Sequence, residues 1–526
     1  MNAVKILDVT LRDGGIVNNF NFGEKNMQAV LSALEEAEIK FIELGYLEKN
    51  KGTERGRTQY CNEKVIEKYF LTQKKPGVLY FAMIDYGKFD VDTLGVRTET
   101  GIDAIRFAFH KRNYWDALPL YNKLIQKGYD VYMQPMVTLH YTEEELKELI
   151  NSANEMDVKG VYFVDTFGQM QQPDIERLAS IFHENLRPDI ALGFHSHNNI
   201  QMAYANAITF LKMPMDREKM LDSSIMGMGR GAGNLNTELI LSHLNLYYGG
   251  NYRIAPLLNV MDTVLNTIKA QHPWGYSVEY YLSSVNDCSP IYASHYYNKH
   301  MLPVEQINEL LGRIKGENRI SFNKEYAEEI YRQYNARIPY DDSSMITKLK
   351  EIFYDKTVCV LAPGKSLKDE YIKIGDFVGK ADITVSLNCN VFNSDYELIT
   401  RADILEDALA MGKKVIAPSN IAQKQNNNIY IIDYLKWISI NEETHDSAGF
   451  IILNLLTALE TKEIYLAGFD GFDVNINKNY YDEYLQRPVS IEQIHEKNRS
   501  FSRFIQDKQQ SFKIIMITKS IYENYI

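Results

Sequence analysis

The sequence predicts an α/β protein: a (β/α)8 TIM barrel with a helical extension, followed by a second, Rossmann-like α/β domain. Three observations support this prediction. The chain has 526 residues, which exceeds one ordinary domain core and suits a barrel plus a second domain. Short β-branched or aromatic runs alternate with amphipathic stretches from residue 4 to about residue 248. A new β/α alternation starts near residue 356.

Eight strands can be assigned in the first half, and eight parallel strands in this length indicate a closed barrel. They cover residues 4–10, 41–46, 78–86, 104–110, 130–138, 160–166, 190–197 and 221–229. The segments between them show helical spacing, as in residues 24–39, where Met27, Val30 and Leu34 recur along one face. The main alternative, an open doubly wound sheet, is disfavoured because no early glycine-rich turn is present.

The same pattern sets the expected domain boundaries. We expect the barrel over residues 1–250, a mostly helical and aromatic extension over 251–350, and the Rossmann-like domain over 356–526. The Rossmann-like domain opens with TVCVLAPGKSL (357–367) and continues through five strand-like runs: DITVSLN, KKVIAPS, NIYIID, EIYLAGFDGF and FKIIMIT. The most apolar stretch, AGFIILNLLTAL, is too short to span a bilayer and is predicted to be a buried helix.

The composition excludes several classes of protein. A net charge of -12 disfavours nucleic-acid binding, since phosphate binding needs a basic surface. The four cysteines are far apart and form no CxxC pair, so neither a disulfide framework nor a zinc knuckle is indicated. We find no targeting segment and no membrane span, and therefore expect a cytoplasmic protein.

Three segments carry the chemistry: LRDGG (11–15), GFHSHNN (193–199) and GMGRGAGNLNTE (227–238). All fall at the carboxyl ends of predicted strands, which form the catalytic face of such a barrel. His195 and His197 lie at i and i+2 of one strand, so they point the same way and can hold one ion. Asp13 reaches the same rim, and this ligand set leaves positions open for substrate and water. The alternative is a polar strand end without a metal.

These motifs, in this order, resemble the DRE-type metallolyases, the HMGL-like TIM-barrel family that includes 4-hydroxy-2-oxovalerate aldolase, hydroxymethylglutaryl-CoA lyase and isopropylmalate synthase. The resemblance covers about residues 1–290. It implies that Asp13, His195 and His197 bind a divalent metal cation, with Mn²⁺ or Mg²⁺ preferred over Zn²⁺. It also implies that Arg12 stabilises an enolate oxygen, although a structural salt bridge is the alternative role for this residue.

Four further residues are assigned to the substrate pocket. Thr166, in VDTFG (164–168), is similar to a family residue that contacts the substrate carboxylate, with a helix N-cap as its alternative role. Asn234 matches an asparagine that adds a ligand in the lyase branch. Glu43 and Arg106 lie near strand ends, where they contact substrate or form a structural pair.

The residues favour an enolate reaction. Making or breaking a bond alpha to a carbonyl passes through an enolate, which a Lewis acid and nearby cations stabilise. A lysine Schiff base is the other route, but predicted strands five to eight carry no inward lysine. We therefore expect a carbon–carbon lyase, an aldolase that joins or releases an aldehyde and pyruvate or a similar 2-oxo acid.

Two alternative functions stay open. Claisen condensation of an acyl-CoA uses the same barrel, but the synthase branch usually carries a glutamate where Gly15 stands. The second alternative is that the barrel is a non-catalytic scaffold for the C-terminal domain. The missing family histidine favours this alternative. A homo-oligomer is expected, of a size that the sequence does not give.

One position departs from the family pattern. Hydroxyoxovalerate aldolases carry a proton-transfer histidine two residues after the glycine that follows the RD pair, and here that residue is Ile16, in GGIVNNFNF. A metal-bound water, whose pKa the ion lowers towards ~7, is the preferred replacement. Tyr276, in HPWGYS, aligns with a family GY segment that supplies an acid tyrosine, and it is the side-chain alternative.

The C-terminal domain carries weaker signals. APGKSL follows a strand and precedes a helix, a geometry that directs backbone amides at an anion. A Walker A loop would need glycine where Cys359 stands, so a triphosphatase is disfavoured. VLAPGKSL and IYLAGFDGF resemble the nucleotide-sugar-binding domains of some bacterial glycosyltransferases, over about residues 356–475. This resemblance implies a nucleotide or nucleotide-sugar ligand and a surface-carbohydrate pathway.

Overall fold

The structure of the protein is a computed structural model. It describes residues 4–49, 51, 55–71, 74–297, 299, 302–336, 340–422, 427–439, 447–475, 478–482 and 491–522. The chain forms two compact units, Met1–Ser294 with Lys315–Phe322, and His295–Ile314 with Asn323–Ile526. The helical segment 251–350 is divided between these units. The domain boundaries expected at residues 250 and 356 stay predictions.

The first unit contains the predicted TIM barrel, which is thereby confirmed. Its eight strands in the described residues are β1 Val4–Asp8, β2 Phe41–Leu47, β3 Leu79–Asp85, β4 Ala104–Phe109, β5 Asp130–Pro135, β6 Gly160–Asp165, β7 Ala191–Ser196 and β8 Lys219–Ser223. Neighbouring strands pair in parallel in chain order, and β8 returns to β1. The pairing of Leu7 with Phe41 joins β1 to β2 and closes the barrel. A two-residue strand, Gln59–Tyr60, pairs in parallel with Tyr46 and Leu47 at the end of β2.

The eighth strand ends earlier than the predicted range of 221–229. After Ser223 the chain turns into a short 3-10 helix, Ile225–Gly227. Side chains bond the amides that a longer strand would offer to its neighbour: the Ile225 amide donates to the Thr10 hydroxyl at 2.8 Å, and the Met226 amide donates to the Glu238 carboxylate at 2.9 Å. The glycine-rich segment is therefore a loop over the barrel mouth.

Helices surround the barrel and continue beyond it. They are α1 Glu24–Glu36, α2 Glu63–Tyr69, α3 Tyr114–Gln126, α4 Glu143–Glu155, α5 Gln172–Asn185, α6 Ala203–Lys212, α7 Thr237–Tyr247, α8 Ala255–Val260, α9 Asn266–Gln271, α10 Val278–Val285 and α11 Pro290–Tyr297. A π-helical stretch, Met261–Leu265, joins α8 to α9. The boundary between the two units falls inside α11.

Alternation along the strands separates two layers of side chains. The barrel interior holds an apolar layer made of Leu7, Val9, Phe41, Phe81, Ala104, Tyr132, Tyr162, Val164, Ala191 and Met220. The opposite strand faces pack on the helices in a larger core, as Phe109 does on Tyr121 of α3. Inward side chains beyond the apolar layer lie at the carboxyl ends of the strands, where the barrel opens.

The second unit is built on a parallel sheet, as predicted. Its strands in the described residues are β9 Thr357–Leu361, β10 Ile383–Leu387, β11 Tyr396–Leu398, β12 Val415–Pro418, β13 Ile429–Ile432, β14 Glu463–Ala467 and β15 Ile514–Met516. They lie in the order β13-β12-β11-β10-β9-β14-β15, so the direction of strand addition reverses between β9 and β14. The sequence pattern missed β11, because a three-residue strand shows too little alternation to be recognised.

The helices of this part are α12 Val304–Gly312, α13 Lys324–Ala336, α14 Ser343–Phe353, α15 Ser366–Asp369, α16 Tyr371–Val378, α17 Ala402–Ala410, α18 Tyr434–Trp437, α19 Ala448–Ala458 and α20 Ile491–Gln509. Helix α19 is the predicted apolar helix, and its residues Phe450 to Leu453 are fully buried. Within the described ranges, no helix has both the length and the apolar character needed to cross a membrane.

Candidate metal centre

Asp13 is held at the barrel mouth by a tight turn after β1. The amides of Arg12, Asp13 and Gly14 all donate to the carbonyl of Val9, at 2.8–3.2 Å. The second glycine after Asp13 is needed for close packing. A Cβ on Gly15 would lie 2.5 Å from the Phe20 ring and 2.9 Å from the Thr58 hydroxyl, so no side chain fits there. LRDGG thus fixes one carboxylate at the rim.

His195 and His197 come from the end of β7, as the i, i+2 spacing predicts. Their rings are nearly perpendicular, with centroids 5.0 Å apart. One oxygen of Asp13 and one nitrogen of each imidazole lie within 4.8 Å of one another, and all three residues are buried. The predicted triad is therefore brought together in one place.

His195 is oriented by Asp222, an inward residue of β8. Its Nδ1 lies 2.8 Å from Oδ2 of Asp222. Burial alone would raise the pKa of Asp222, but Arg106 and His195 outweigh it and hold that pKa below its usual range. An ionised carboxylate only accepts hydrogen bonds, so Nδ1 carries the proton that faces Asp222, and Nε2 is the ring nitrogen left to face a metal. A carboxylate behind a histidine is the usual arrangement of a metal ligand.

His197 is prepared to bind a cation. Burial lowers its pKa to about 3, so the imidazole is neutral near pH 7. Its Nδ1 lies 4.0 Å from Oδ2 of Asp13 and has no hydrogen-bond partner in the described part of the chain. Burial would raise the pKa of Asp13, but Arg12 and the two imidazoles hold it well below its usual range. A buried neutral imidazole beside an ionised carboxylate fits a divalent metal ion.

The glycine-rich loop after β8, here called the strand-eight loop (residues 227–236), lies against the metal ligands. Asn234 donates from Nδ2 to Asp13 at 3.0 Å and to the Met228 carbonyl at 3.1 Å. Its Oδ1 is buried and, over the residues described, has no partner. A Cβ on Gly229 would lie 2.4 Å from Asn234 and 2.8 Å from Asp13. Only glycine lets this loop approach the carboxylate, which explains one glycine of the GMGRG segment.

Arg12 lies in the same buried cluster. Its Nε donates to Glu43 at 2.6 Å and one terminal nitrogen donates to Asp13 at 2.7 Å. The other terminal nitrogen is 4.0 Å from Asp222, too far for a hydrogen bond, and no described residue accepts from it. Tyr46 lies beside the guanidinium, with its hydroxyl at 3.5 Å. Arg12 therefore combines a structural ion pair with unused donors at the centre.

Glu43 and Arg106 are fully buried beneath this cluster. Arg106 donates to Glu43 from Nε at 2.9 Å and from a terminal nitrogen at 2.8 Å. It also makes a short ion pair with Asp222. The structure thus supports the paired role of Glu43 and Arg106, while their assignment as substrate contacts stays a prediction.

Thr166 and Tyr276 occupy different environments. The Thr166 hydroxyl accepts a hydrogen bond from the Val137 amide at 2.8 Å, which leaves its own proton free to donate. Gln171, not Thr166, is the N-cap of α5. Tyr276 is 60% exposed, and no hydrogen bond within the described ranges joins it to the triad. Its catalytic role stays a prediction.

Sequence reasoning missed Asp222 and Tyr46. Asp222 lies inside the predicted strand LDSSIMGMG, and an inward carboxylate on the strand next to that of a metal-binding aspartate is a sequence signal for such a supporting residue. Tyr46 gives no sequence signal, because its role depends on where the Arg12 guanidinium lies. Ile16, as expected, offers no titratable group.

Comparison with known proteins agrees with this geometry. Residues 3–264 match the sequence model of the HMGL-like family. The barrel is an HMGL-like domain. This family includes lyase-type enzymes, and the HMGL-like resemblance of the barrel segment is confirmed.

Two curated relatives of the HMGL-like domain are similar over about half of this chain. Oxaloacetate decarboxylase of Mycobacterium tuberculosis is 25% identical over 279 residues, which are 52% of this chain and 79% of that protein. 4-Hydroxy-2-oxovalerate aldolase of Thermomicrobium roseum is 27% identical over 243 residues, 46% of this chain and 66% of that protein. A solved structure, the N-terminal domain of a candidate aldolase from Bacteroides vulgatus, is 27% identical with a TM-score of 0.50. It covers 56% of this chain and 96% of that one.

The second unit has a polar pair at the corresponding edge of its sheet. Ser366, in APGKSL, donates its amide to Asp470 at 2.6 Å, and its hydroxyl makes a short bond to the same carboxylate. The amide expected to face a bound anion is therefore already bonded to a carboxylate. The nucleotide-sugar ligand of this unit stays a prediction.

Proposed function

We propose that the HMGL-like domain catalyses aldol cleavage or formation through the enolate of pyruvate or a similar 2-oxo acid. The observation that carries this proposal is the buried charge cluster around Asp13, His195 and His197, with its unused donors and acceptors. Buried charges are costly unless they are paired, so a cluster left incomplete indicates a missing partner.

The triad would hold one divalent cation, with Asn234 close enough to add its Oδ1. His197 offers a buried nitrogen without a partner among described residues, and His195 offers Nε2. Zn²⁺ binds imidazole nitrogen together with carboxylate oxygen, whereas Mn²⁺ and Mg²⁺ favour the oxygen atoms that Asp13, Asn234 and a substrate would offer. When bound, the ion supplies a Lewis acid that polarises the 2-oxo group.

The charges of the cluster indicate the charge of the substrate. Two guanidiniums, Arg12 and Arg106, face three carboxylates, Asp13, Glu43 and Asp222, which leaves one net negative charge. A divalent cation reverses the sign to one net positive charge. A 2-oxo acid carries one carboxylate at neutral pH and would neutralise it. A monoanionic substrate therefore completes the cluster.

Arg12 is placed to act on the developing enolate. Its terminal nitrogen without an acceptor in the described residues can donate to an oxygen near the triad. Glu43 and Asp13 hold the guanidinium in position, so little reorganisation is needed when charge develops. Thr166 supports binding of the substrate carboxylate with its free hydroxyl proton.

The packing at Gly15 favours an aldolase over an acyl-CoA synthase. The synthase pattern has a glutamate at this position, but a Cβ here would overlap Phe20 and Thr58. The local backbone would have to move before a glutamate could enter. The aldolase pattern needs no such change.

An assay of pyruvate release tests the proposal. The metal-loaded full chain is incubated with a panel of 4-hydroxy-2-oxo acids that differ in the aldehyde released, and pyruvate is measured. We expect release that stops when the metal is chelated and resumes when Mn²⁺ or Mg²⁺ is restored. The His272→Ala variant, which alters an exposed imidazole, serves as the control. Absence of metal-dependent release from every substrate, with metal shown to be bound, would refute the proposal.

A further inference from the structure

The inward series of β4 continues beyond the end of the strand to His110. Ala104 belongs to the interior apolar layer, and Arg106 reaches Glu43 across the barrel. Ile105, Phe107 and Phe109 alternate with these residues and face outward, as Phe109 shows by packing on Tyr121. His110 follows Phe109 with extended backbone angles, φ -84° and ψ 151°. Alternation therefore directs its imidazole towards the barrel mouth.

The neighbours of His110 are also polar and face the mouth. Ala108, two residues earlier, pairs with Asp85 on β3 and with Gln134 on β5. Gln134 is buried, and its Oε1 has no partner in the part of the chain that is described. The Nδ1 of His110 is likewise buried and unpartnered among those residues. Buried polar atoms nearly always have partners, so these two point to a bound molecule.

Arg230 lies near both His110 and the metal centre. It lies in the strand-eight loop, and its amide donates to Asp13 at 3.3 Å. Its guanidinium is close enough to lower the pKa of both His197 and His110. By strand placement, His110 after β4 and the triad after β1 and on β7 all lie at the carboxyl end of the barrel.

We propose that His110 is the proton-transfer group of this barrel, and that it accepts the hydroxyl proton of a 4-hydroxy-2-oxo acid as the carbon–carbon bond breaks. This inference rests on the proposed aldolase function. It supplies the group that Ile16 cannot provide, and it replaces the exposed Tyr276 in that role. His110 is a catalytic residue in this account because it touches the reacting hydroxyl.

The step balances without any further reactant. The proton on the C4 hydroxyl moves to the His110 imidazole, and the carbonyl of the aldehyde forms. The electron pair of the C3–C4 bond becomes the enolate of the 2-oxo acid, beside Arg12. The imidazolium then returns the proton to C3, which gives pyruvate or its analogue and restores neutral His110. Aldol formation is the reverse sequence.

The surroundings keep His110 in the form that a base needs. Burial lowers its pKa below 6.5, helped by Arg112 on its own segment and by Arg230 and Lys88, while Asp85 opposes them. The neutral form therefore predominates near neutral pH and is lost as the pH falls through the lowered pKa. A base with a pKa somewhat below the working pH combines availability with adequate strength.

The test compares wild type with His110→Gln, which keeps hydrogen bonding but cannot titrate. We expect kcat/KM for pyruvate release to fall by roughly 10²–10⁴-fold, the range for loss of general acid–base catalysis, with unchanged metal content. The acid limb of the wild-type pH profile should disappear or move to lower pH. His272→Gln is the matched control on an exposed histidine.

A second variant separates a lost base from a damaged fold. His110→Gly should be inactive alone and should regain activity when imidazole is added, which a structural role would not produce. The inference is overturned if His110→Gln keeps kcat/KM within about twofold of wild type with the same pH profile, or if imidazole fails to rescue a folded His110→Gly. If the wild-type protein shows no metal-dependent release of pyruvate, the aldolase function itself is refuted.

Discussion

The barrel mouth and the edge of the second sheet are built alike but differ in one respect. Both place polar side chains after the carboxyl ends of parallel strands, next to glycine-rich loops. In the second unit, Ser366 and Asp470 satisfy one another. At the barrel mouth, buried atoms of Arg12, His197 and Asn234 have no partner over the described residues.

The unpartnered atoms identify the barrel mouth as the polar cluster that is prepared for a ligand. A buried polar atom without a partner costs about 1–3 kcal/mol, so a fold keeps several of them only where something else completes the set. The triad and Arg12 form such a set. The Ser366–Asp470 pair is complete by itself and holds two loops together.

Removal of the metal ligands should have the largest effect. The double variant His195→Ala, His197→Ala leaves only Asp13 of the triad, so tight metal binding and turnover should both be abolished. Metal analysis after dialysis and the pyruvate assay measure this, with His272→Ala as the control. Full metal occupancy in the double variant would show that the ion binds elsewhere, and that the barrel mouth is not the prepared metal site.

Arg12→Lys should have the next largest effect. Lysine keeps the charge but loses the planar group that contacts Glu43, Asp13 and the reacting oxygen together. We expect kcat to fall by on the order of 10²-fold with a smaller change in KM, because the lost interaction forms in the transition state. Arg177→Lys, on the exposed face of α5, controls for the substitution. A near-normal kcat would remove Arg12 from the mechanism.

Asp222→Asn should weaken the metal site without destroying it. Asparagine can still accept from His195 Nδ1 but no longer offers the negative charge that supports the ligand. Loss of such a supporting carboxylate typically costs 10–100-fold in metal affinity. Calorimetric titration of Mn²⁺ measures this, with Asp262→Asn as an exposed control. Unchanged affinity would mean that Asp222 serves only to neutralise Arg106.

The smallest effect is expected in the second unit. Asp470→Ala removes both bonds to Ser366 and should lower the free energy of unfolding by about 1–3 kcal/mol, with pyruvate release unchanged. Denaturant unfolding of the full chain measures the loss, and Asp470→Asn, which can keep one bond, should lose less. If a nucleoside diphosphate or sugar nucleotide binds wild type but not Asp470→Ala, this pair belongs to a ligand site. The second unit would then not differ from the barrel mouth in this respect.

Much of the barrel was predictable because its signals are local. Strand alternation placed the eight strands, and the i, i+2 spacing placed His195 beside His197. The glycines of LRDGG and GMGRG marked close approaches that only a missing side chain permits, as Gly229 shows against Asp13. These features need no knowledge of distant parts of the chain.

The remaining features depend on contacts between distant segments. Asp222 and His195 are 27 residues apart, and Arg106 reaches Asp222 over 116 residues. The end of β8 was misplaced because Thr10 and Glu238 bond its amides, which no local pattern reveals. From the sequence, His110 could be placed only at the end of a predicted strand, because its position at the barrel mouth depends on closure of the barrel.

The most direct test of the central claim is proton exchange on pyruvate itself. Enolate formation at the triad replaces the methyl protons of pyruvate with deuterium in D₂O, and no aldehyde is needed. We expect exchange by the metal-loaded protein, measured by mass spectrometry of pyruvate, and loss of exchange after chelation and in Asp13→Asn. Exchange that continues in protein shown by metal analysis to be metal-free, or its absence with one ion bound per chain, would contradict the account.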